Sequence, residues 1–301
     1  MKKKRIMKTF KILSLALGLF LIGCLSGCQK DKAGVYQPKK KIQQIFYSYP
    51  GMDKSPYQIW EWSGDQLSTV THYPDPFFKS NWMELFTYEN GRISRVDNLS
   101  NKEYITYDYA DDQLKSATLF YHNSIISSWT ASYDNGKLSK LTGTIYDGFK
   151  KDRAQLTLDP LAGLLPKEVG QQVTQRQQQQ AMRSNSDEPM TFLLLLTWND
   201  NHIEKLICVG DGESMTFKMQ YDDKICPFYG FMGGLEDYYF NFTTGHTGFT
   251  KNNVTRIILT EDQYVDTICY AYQYDADKYP ILQTMYYTDD PDDKLVLYYE
   301  Y

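Results

Sequence analysis

Short runs of alternating apolar and polar residues fill the chain beyond residue 45, and they stop at Asn, Asp or Gly. Period-two alternation broken in this way is the mark of β-strands joined by tight turns. The runs also repeat. Trp62, Tyr88, Tyr109, Tyr133, Trp198 and Tyr274 each stand just before a turn. Five residues on from each come Leu67, Ile93, Leu114, Leu138, Ile203 and Tyr279, and eight residues on come Val70, Val96, Ala117, Leu141, Leu206 and Leu282. All twelve are apolar or aromatic among mostly polar neighbours. Asn90-Gly91 and Asn135-Gly136 supply the positive φ angles that two-residue hairpin turns require. A separation of three between the outgoing apolar positions departs from period two, so either both faces are partly covered or a bulge follows the turn.

The first four units are spaced 26, 21 and 24 residues apart, and the 65 residues from Tyr133 to Trp198 hold one further period plus an insertion of about 40. Over 159–189 the aromatics vanish and glutamines take over, with Gln171, Gln172, Gln175 and the run Gln177 to Gln180. A short helix over Leu161 to Thr174 is compatible with the sequence, but the glutamine run has no apolar face and predicts an exposed, mobile excursion. Another unit starts at Tyr221, with Cys226 at its fifth position before Pro227 interrupts. A degenerate one lies near Val254 and Ile257, and Leu295 to Tyr301 reads as a closing strand. The expected fold class is all-β: repeated antiparallel β-hairpins forming one large twisted sheet, an incomplete barrel or a closed one, with a polar Gln-rich insertion. The aromatics pair across strands to cover its apolar face.

Phe86-Thr87-Tyr88-Glu89-Asn90-Gly91-Arg92-Ile93 and Tyr133-Asp134-Asn135-Gly136-Lys137-Leu138 resemble the YD or RHS repeat, whose pattern is Tyr, Asp, a polar turn, Gly, a basic residue and Leu. With Tyr221-Asp222-Asp223-Lys224 before Pro227-Phe228-Tyr229-Gly230, and Tyr272-Gln273-Tyr274-Asp275 before Tyr279-Pro280, the chain is similar to the YD-repeat-like lipoproteins of Bacteroidetes, among them the DUF4595-type domains. Lys278 stands where that last motif usually has Gly, and Cys226 where Asn often precedes the Pro. The resemblance implies a β-rich secreted lipoprotein and carries no assigned activity.

The N-terminus supports an envelope address. Lys2, Lys3, Lys4, Arg5, Lys8 and Lys11 precede an apolar run from Ile12 to Ile22, which is short for a membrane span and suited to a secretory signal peptide. Leu25-Ser26-Gly27-Cys28 reads as a lipobox, with lipidation expected at Cys28; Leu21-Ile22-Gly23-Cys24 makes Cys24 the alternative. Gln29, Lys30 and Asp31 resemble the export tag that sends some Bacteroidetes lipoproteins to the outer face of the outer membrane. The expected organisation is therefore a lipoprotein signal peptide over 1–27, a tether over 28–45 and a YD-repeat-like β domain over 46–301.

Composition narrows the partners. The chain has 301 residues with 26 Tyr, 15 Phe and 5 Trp, too much to bury for disorder, and a mean hydropathy of −0.52 leaves no room for several spanning helices. Without residues 1–27, which hold six of the 32 basic residues and no acid, 26 basic residues face 37 acidic ones, a formal charge of −11. Such a surface repels a phosphate backbone, so no nucleic-acid partner is expected.

Chemistry-bearing motifs are sparse. His72, His122, His202 and His246 show no metal-ligand spacing, and the Asp289-Asp290-Pro291-Asp292-Asp293 loop lacks the ligand alternation and glycine of an EF-hand. No nucleophile elbow or phosphate loop appears, so no catalytic residue, metal or cofactor is assigned. Cys208 and Cys226 fall on core positions and Cys269 on the opposite face from Tyr270; one disulfide among the three is compatible with an oxidising compartment. The aromatics outside the repeat register, chiefly Trp60, Trp82 and Trp129, are the candidate binding residues, because exposed rings stack on sugars or apolar peptide side chains. The expected function is a lipid-anchored, non-enzymatic binding or interaction module of the outer membrane, taking a glycan or protein partner at the cell surface. A surface polysaccharide hydrolase with paired carboxylates, or a purely structural assembly partner, are the alternatives.

Overall fold

The computed structural model describes residues 32–73, 81–146, 189–210, 213–232 and 248–301. Sixteen strands follow in chain order: β1 (Gln44–Ser48), β2 (Ser55–Ser63), β3 (Gln66–His72), β4 (Trp82–Glu89), β5 (Arg92–Asn98), β6 (Glu103–Ala110), β7 (Gln113–Tyr121) and β8 (Ser124–Asp134). After these come β9 (Lys137–Ile145), β10 (Met190–Asn199), β11 (His202–Gly210), β12 (Glu213–Tyr221), β13 (Val254–Glu261), β14 (Tyr264–Tyr274), β15 (Pro280–Tyr287) and β16 (Lys294–Glu300). Each strand pairs antiparallel with its sequence neighbours, and β16 pairs with β1. The all-β sheet is therefore a closed barrel. The N-terminal signal region with Cys24 and Cys28, and the glutamine-rich insertion up to Asp187, lie outside the described residues.

The repeat spacing has one cause. In β2–β3 Trp62 pairs with Leu67 but Glu61 pairs with Thr69, which leaves Ser68 as an extra residue on the outgoing strand. The same bulge sits beside Tyr88, Tyr109, Tyr133, Trp198, Tyr221 and Tyr274. An extra residue turns the next inward position from i+2 into i+3. Hence Leu67 and Val70, Ile93 and Val96, Leu114 and Ala117, Leu138 and Leu141, and Ile203 and Leu206 all point into the core with at most 1% exposure.

Two units differ from the sequence reading. Tyr221 pairs across its turn with Val254, so Val254 and Ile257 complete that unit, and Cys226 belongs to an insertion between them. At Tyr274 the turn is one residue longer; Tyr274 pairs with Pro280, and Gln283 rather than Leu282 faces inward.

Inward side chains of all sixteen strands form one buried apolar cluster, so the lumen is filled. Trp129 enters it where Gly143 lies opposite on β9; a Cβ at Gly143 would meet the indole at 2.5 Å. Many outward positions carry Thr, Ser, Lys, Arg, Asp and Glu, such as Glu61, Asp108, Lys140, Lys205 and Arg256, while Phe46, Leu195, Ile207 and Tyr298 are outward apolar residues. A bilayer-spanning barrel requires the reverse, an apolar outer band. On the described strands any such band is interrupted by these charged positions.

Candidate functional site

In a closed antiparallel barrel the connections alternate between two ends, and here the ends differ in chemistry. One end is sealed by the repeat aromatics. Tyr88 Oη donates to the Leu67 carbonyl at 3.0 Å, Tyr109 to Ile93 at 2.6 Å, Tyr133 to Leu114 at 3.0 Å, and Tyr221 to Ile203 at 3.0 Å. Trp198 Nε1 donates to Leu138 at 2.6 Å and Trp62 Nε1 to Ile42 at 2.7 Å, while Tyr272 reaches Val254 at 2.8 Å and Tyr301 reaches Pro280 at 2.9 Å. Each aromatic thus bonds the hairpin before it, and the eight bonds close a circle around the barrel. Burial raises these phenols: Tyr88 and Tyr133 to about 12, and Tyr272 well above its ordinary value.

The same end is covered by two segments. Residues 33–43, expected as tether, are bound to the barrel. Ala33 N donates to Asp112 O at 2.9 Å, Gly34 O accepts from Ile93 N at 2.9 Å, and Tyr36, 1% exposed, donates to Pro227 O at 2.9 Å. The tether reading failed here because Tyr36 and Ile42, which have no strand pattern around them, are core residues. The second segment is the insertion after β12. Its Phe228 and Phe231 pack on Trp60, and Tyr274 Oη donates to Asp222, which also accepts from Asn253 N at 3.0 Å. Gly230, at φ +84°, lies so close to Val35 O that a Cβ would come within 2.3 Å, which explains the glycine after Pro227.

At the opposite end an otherwise apolar inner wall carries a polar stripe. Gln58 on β2, His72 on β3, Glu84 on β4, Asn98 on β5 and Glu103 on β6 face inward, the last four only 1–4% exposed. Gln58 Nε2 lies 3.3 Å from His72 Nδ1, His72 Nε2 lies 3.7 Å from Glu84 Oε1, and Asn101 Nδ2 donates to Glu103 at 2.6 Å. Trp82, half-buried at the rim, stacks on the His72 ring at 3.6 Å and 8°. Burying two carboxylates in an apolar lumen is unfavourable unless they share hydrogen bonds. Exposed apolar side chains surround this end on its loops and strand tips: Met52, Leu99, Ile125, Tyr264 and Val265.

Of the candidate binding residues, only Trp82 sits at this rim. Trp60 is 4% and Trp129 2% exposed, so both are core rings and present no surface to a ligand. Glu84, Asn98 and Glu103 were not singled out from the sequence. Their signal was a polar residue on an inward position, where Phe86, Val96 and Ile105 set the alternation. Glu84 and Glu103 are the nearest thing to paired carboxylates, yet each is 1% exposed, beyond the reach of a polysaccharide. Cys208, Cys226 and Cys269 are free thiols, the first two buried in the core. Among the described residues no group of three His, Cys, Asp or Glu side chains is placed to hold a metal.

No family model matches the chain, and no curated protein matches it. Among solved structures it is similar to a porin-like protein from Bacteroides uniformis, at 10% identity and a TM-score of 0.48, over 87% of this chain and 98% of that one. A porin-like protein from Bacteroides vulgatus matches at 9% identity and a TM-score of 0.29, over 86% and 98%. A structure of TcdB2-TccC3 matches at 13% identity and a TM-score of 0.29, over 81% of this chain and 12% of that one.

Proposed function

We propose that this protein is a lipid-anchored, non-enzymatic binding module of the bacterial outer membrane, of the YD-repeat-like lipoprotein kind, whose binding end is the one carrying Trp82. The observation that supports this most is where the chain enters the barrel. Ala33 is fixed at the sealed end, and four residues separate it from Cys28, no more than about 18 Å of extended chain. Diacylglycerol on Cys28 tethers the sealed end to the leaflet and leaves the opposite end, with its polar stripe and apolar tips, free to meet a partner. The partner is a glycan or a protein at the cell surface.

Two measurements test this. Fatty-acid analogue labelling is expected to disappear in Cys28→Ala and to persist in Cys24→Ala; the reverse moves the anchor to Cys24, and release from washed membranes without detergent removes the anchor altogether. For binding, the barrel is applied to immobilised envelope polysaccharide and to a cell-surface protein extract. Trp82→Ala is expected to lower retention by about tenfold or more, as loss of one stacking ring does. Unchanged retention would place the binding end elsewhere.

A further inference from the structure

The outer wall of β9 to β13 sets a group of cations beside outward aliphatic side chains. Several cations elsewhere on the barrel pair with acids: Arg92 with Asp112 at 2.9 Å, Arg95 with Asp97 at 2.5 Å, Lys41 with Asp65 at 2.8 Å and Lys54 with Glu300 at 3.0 Å. Lys140, Lys205, Lys218 and Arg256 make no ion pair among the described residues, although the chain has an excess of acid. Lys205 and Lys218 stand directly opposite each other across β11 and β12. Like charges in that position destabilise a sheet. The acids on these strands are Glu204, at the bulge beside a turn, and Glu213 and Glu261, at the strand ends by the Trp82 rim.

Between the cations lies an outward aliphatic cluster. Leu195 pairs with Ile207 and Leu193 with Val209, all four on the water side, with Leu195 37% exposed. This is why Met190-Thr191-Phe192-Leu193-Leu194-Leu195-Leu196 is almost unbroken in apolar residues: β10 is apolar on both faces, which strands are when both faces are covered.

We propose that this wall is a docking surface for an acidic, aliphatic segment of another polypeptide, lying across β10 and β11 with its carboxylates on Lys140, Lys205, Lys218 and Arg256. Charge complementarity selects an anionic partner, and the branched side chains select one with apolar groups, which a hydrophilic polyanion lacks. A second copy on the same wall would set the lysines against each other. The surface is distinct from the Trp82 end, so it extends the proposed interaction role and does not depend on the anchor.

The test uses residues 29–301, which retain the whole compact unit from Ala33 to Tyr301, and a fluorescent synthetic peptide of alternating Glu and Val as probe. Saturable binding is expected, weakening by about tenfold or more from low to half-molar salt. It is expected to fall by a similar factor in K205E/K218E, and also in Leu195→Thr, which keeps the charge and matches the neighbouring threonines. Thermal melts confirm that both variants fold. No saturable binding, or binding unchanged in either folded variant, overturns the proposal. So does retention on anionic phosphatidylglycerol vesicles without peptide binding, which would assign the wall to a membrane. Trp82→Ala, by contrast, is expected to leave peptide binding intact.

Discussion

A tyrosine before each turn serves two purposes at once, since its ring fills the lumen and its hydroxyl ties two hairpins together. Tyr133→Phe keeps the ring and removes the bond to Leu114 O, so a loss of about 1 kcal/mol in denaturant unfolding is expected. Trp129→Ala, which empties the space beside Gly143, is expected to remove about 3 to 5 kcal/mol. The buried phenols also make the barrel sensitive to alkali. Tyr88 and Tyr133 keep their protons up to about pH 12 when folded, whereas the unfolded chain loses them near pH 10. Their stabilisation is complete below pH 10 and is lost as pH rises through 12. Unfolding midpoints measured against pH are expected to drop above 10, together with the appearance of tyrosinate absorbance. Lys278 holds φ at 69°, in the left-handed region that favours glycine. Lys278→Gly is expected to stabilise by up to about 1 kcal/mol, read as a rise of a few degrees in Tm.

Among the elements, the bulge is what converts a readable pattern into a unique register. Deleting Ser94 removes the bulge but keeps Val96 opposite Phe86 and Asn98 opposite Glu84, so the deletion variant is expected to fold with this hairpin's local twist reduced, read as a lower unfolding midpoint with native circular dichroism. This is also why the fold could be read so far from the sequence alone. Aromatic, turn and the two apolar positions are all local, and they recur. What could not be read was anything set by distant chain: that the sheet closes, that Tyr36 and Ile42 belong to the core, and that the residues from Asp222 to Asn253 interrupt one hairpin. The Trp82 end was legible only in part. Trp82 stood out as an aromatic outside the register, but Trp60 and Trp129 stood out equally and are packing. Glu84 and Asn98 face each other across one hairpin and Glu103 stands opposite Asn98 on the next strand, a placement that only the bulged register sets.

For the whole molecule, the division of labour between ends follows from an even number of antiparallel strands. Turns with a fixed aromatic recur at one end and leave sequence variation to the other. The segment over 33–43 reinforces this, since it seals the end at which the chain arrives. Removing residues 33–42 takes Tyr36 and Ile42 out of the core and frees the Trp62 indole. The truncated barrel is expected to melt earlier and to bind a hydrophobic dye that the full chain excludes.

The seam between β1 and β16 has a further consequence, for biogenesis. One of the eight staves is assembled from the first and last strands of the sequence, so during synthesis β1 waits with an open hydrogen-bonding edge until Lys294 to Glu300 have been made. A ribosome that stops short of that final strand releases a sheet with two raw edges in place of none, the form most prone to pair with other chains.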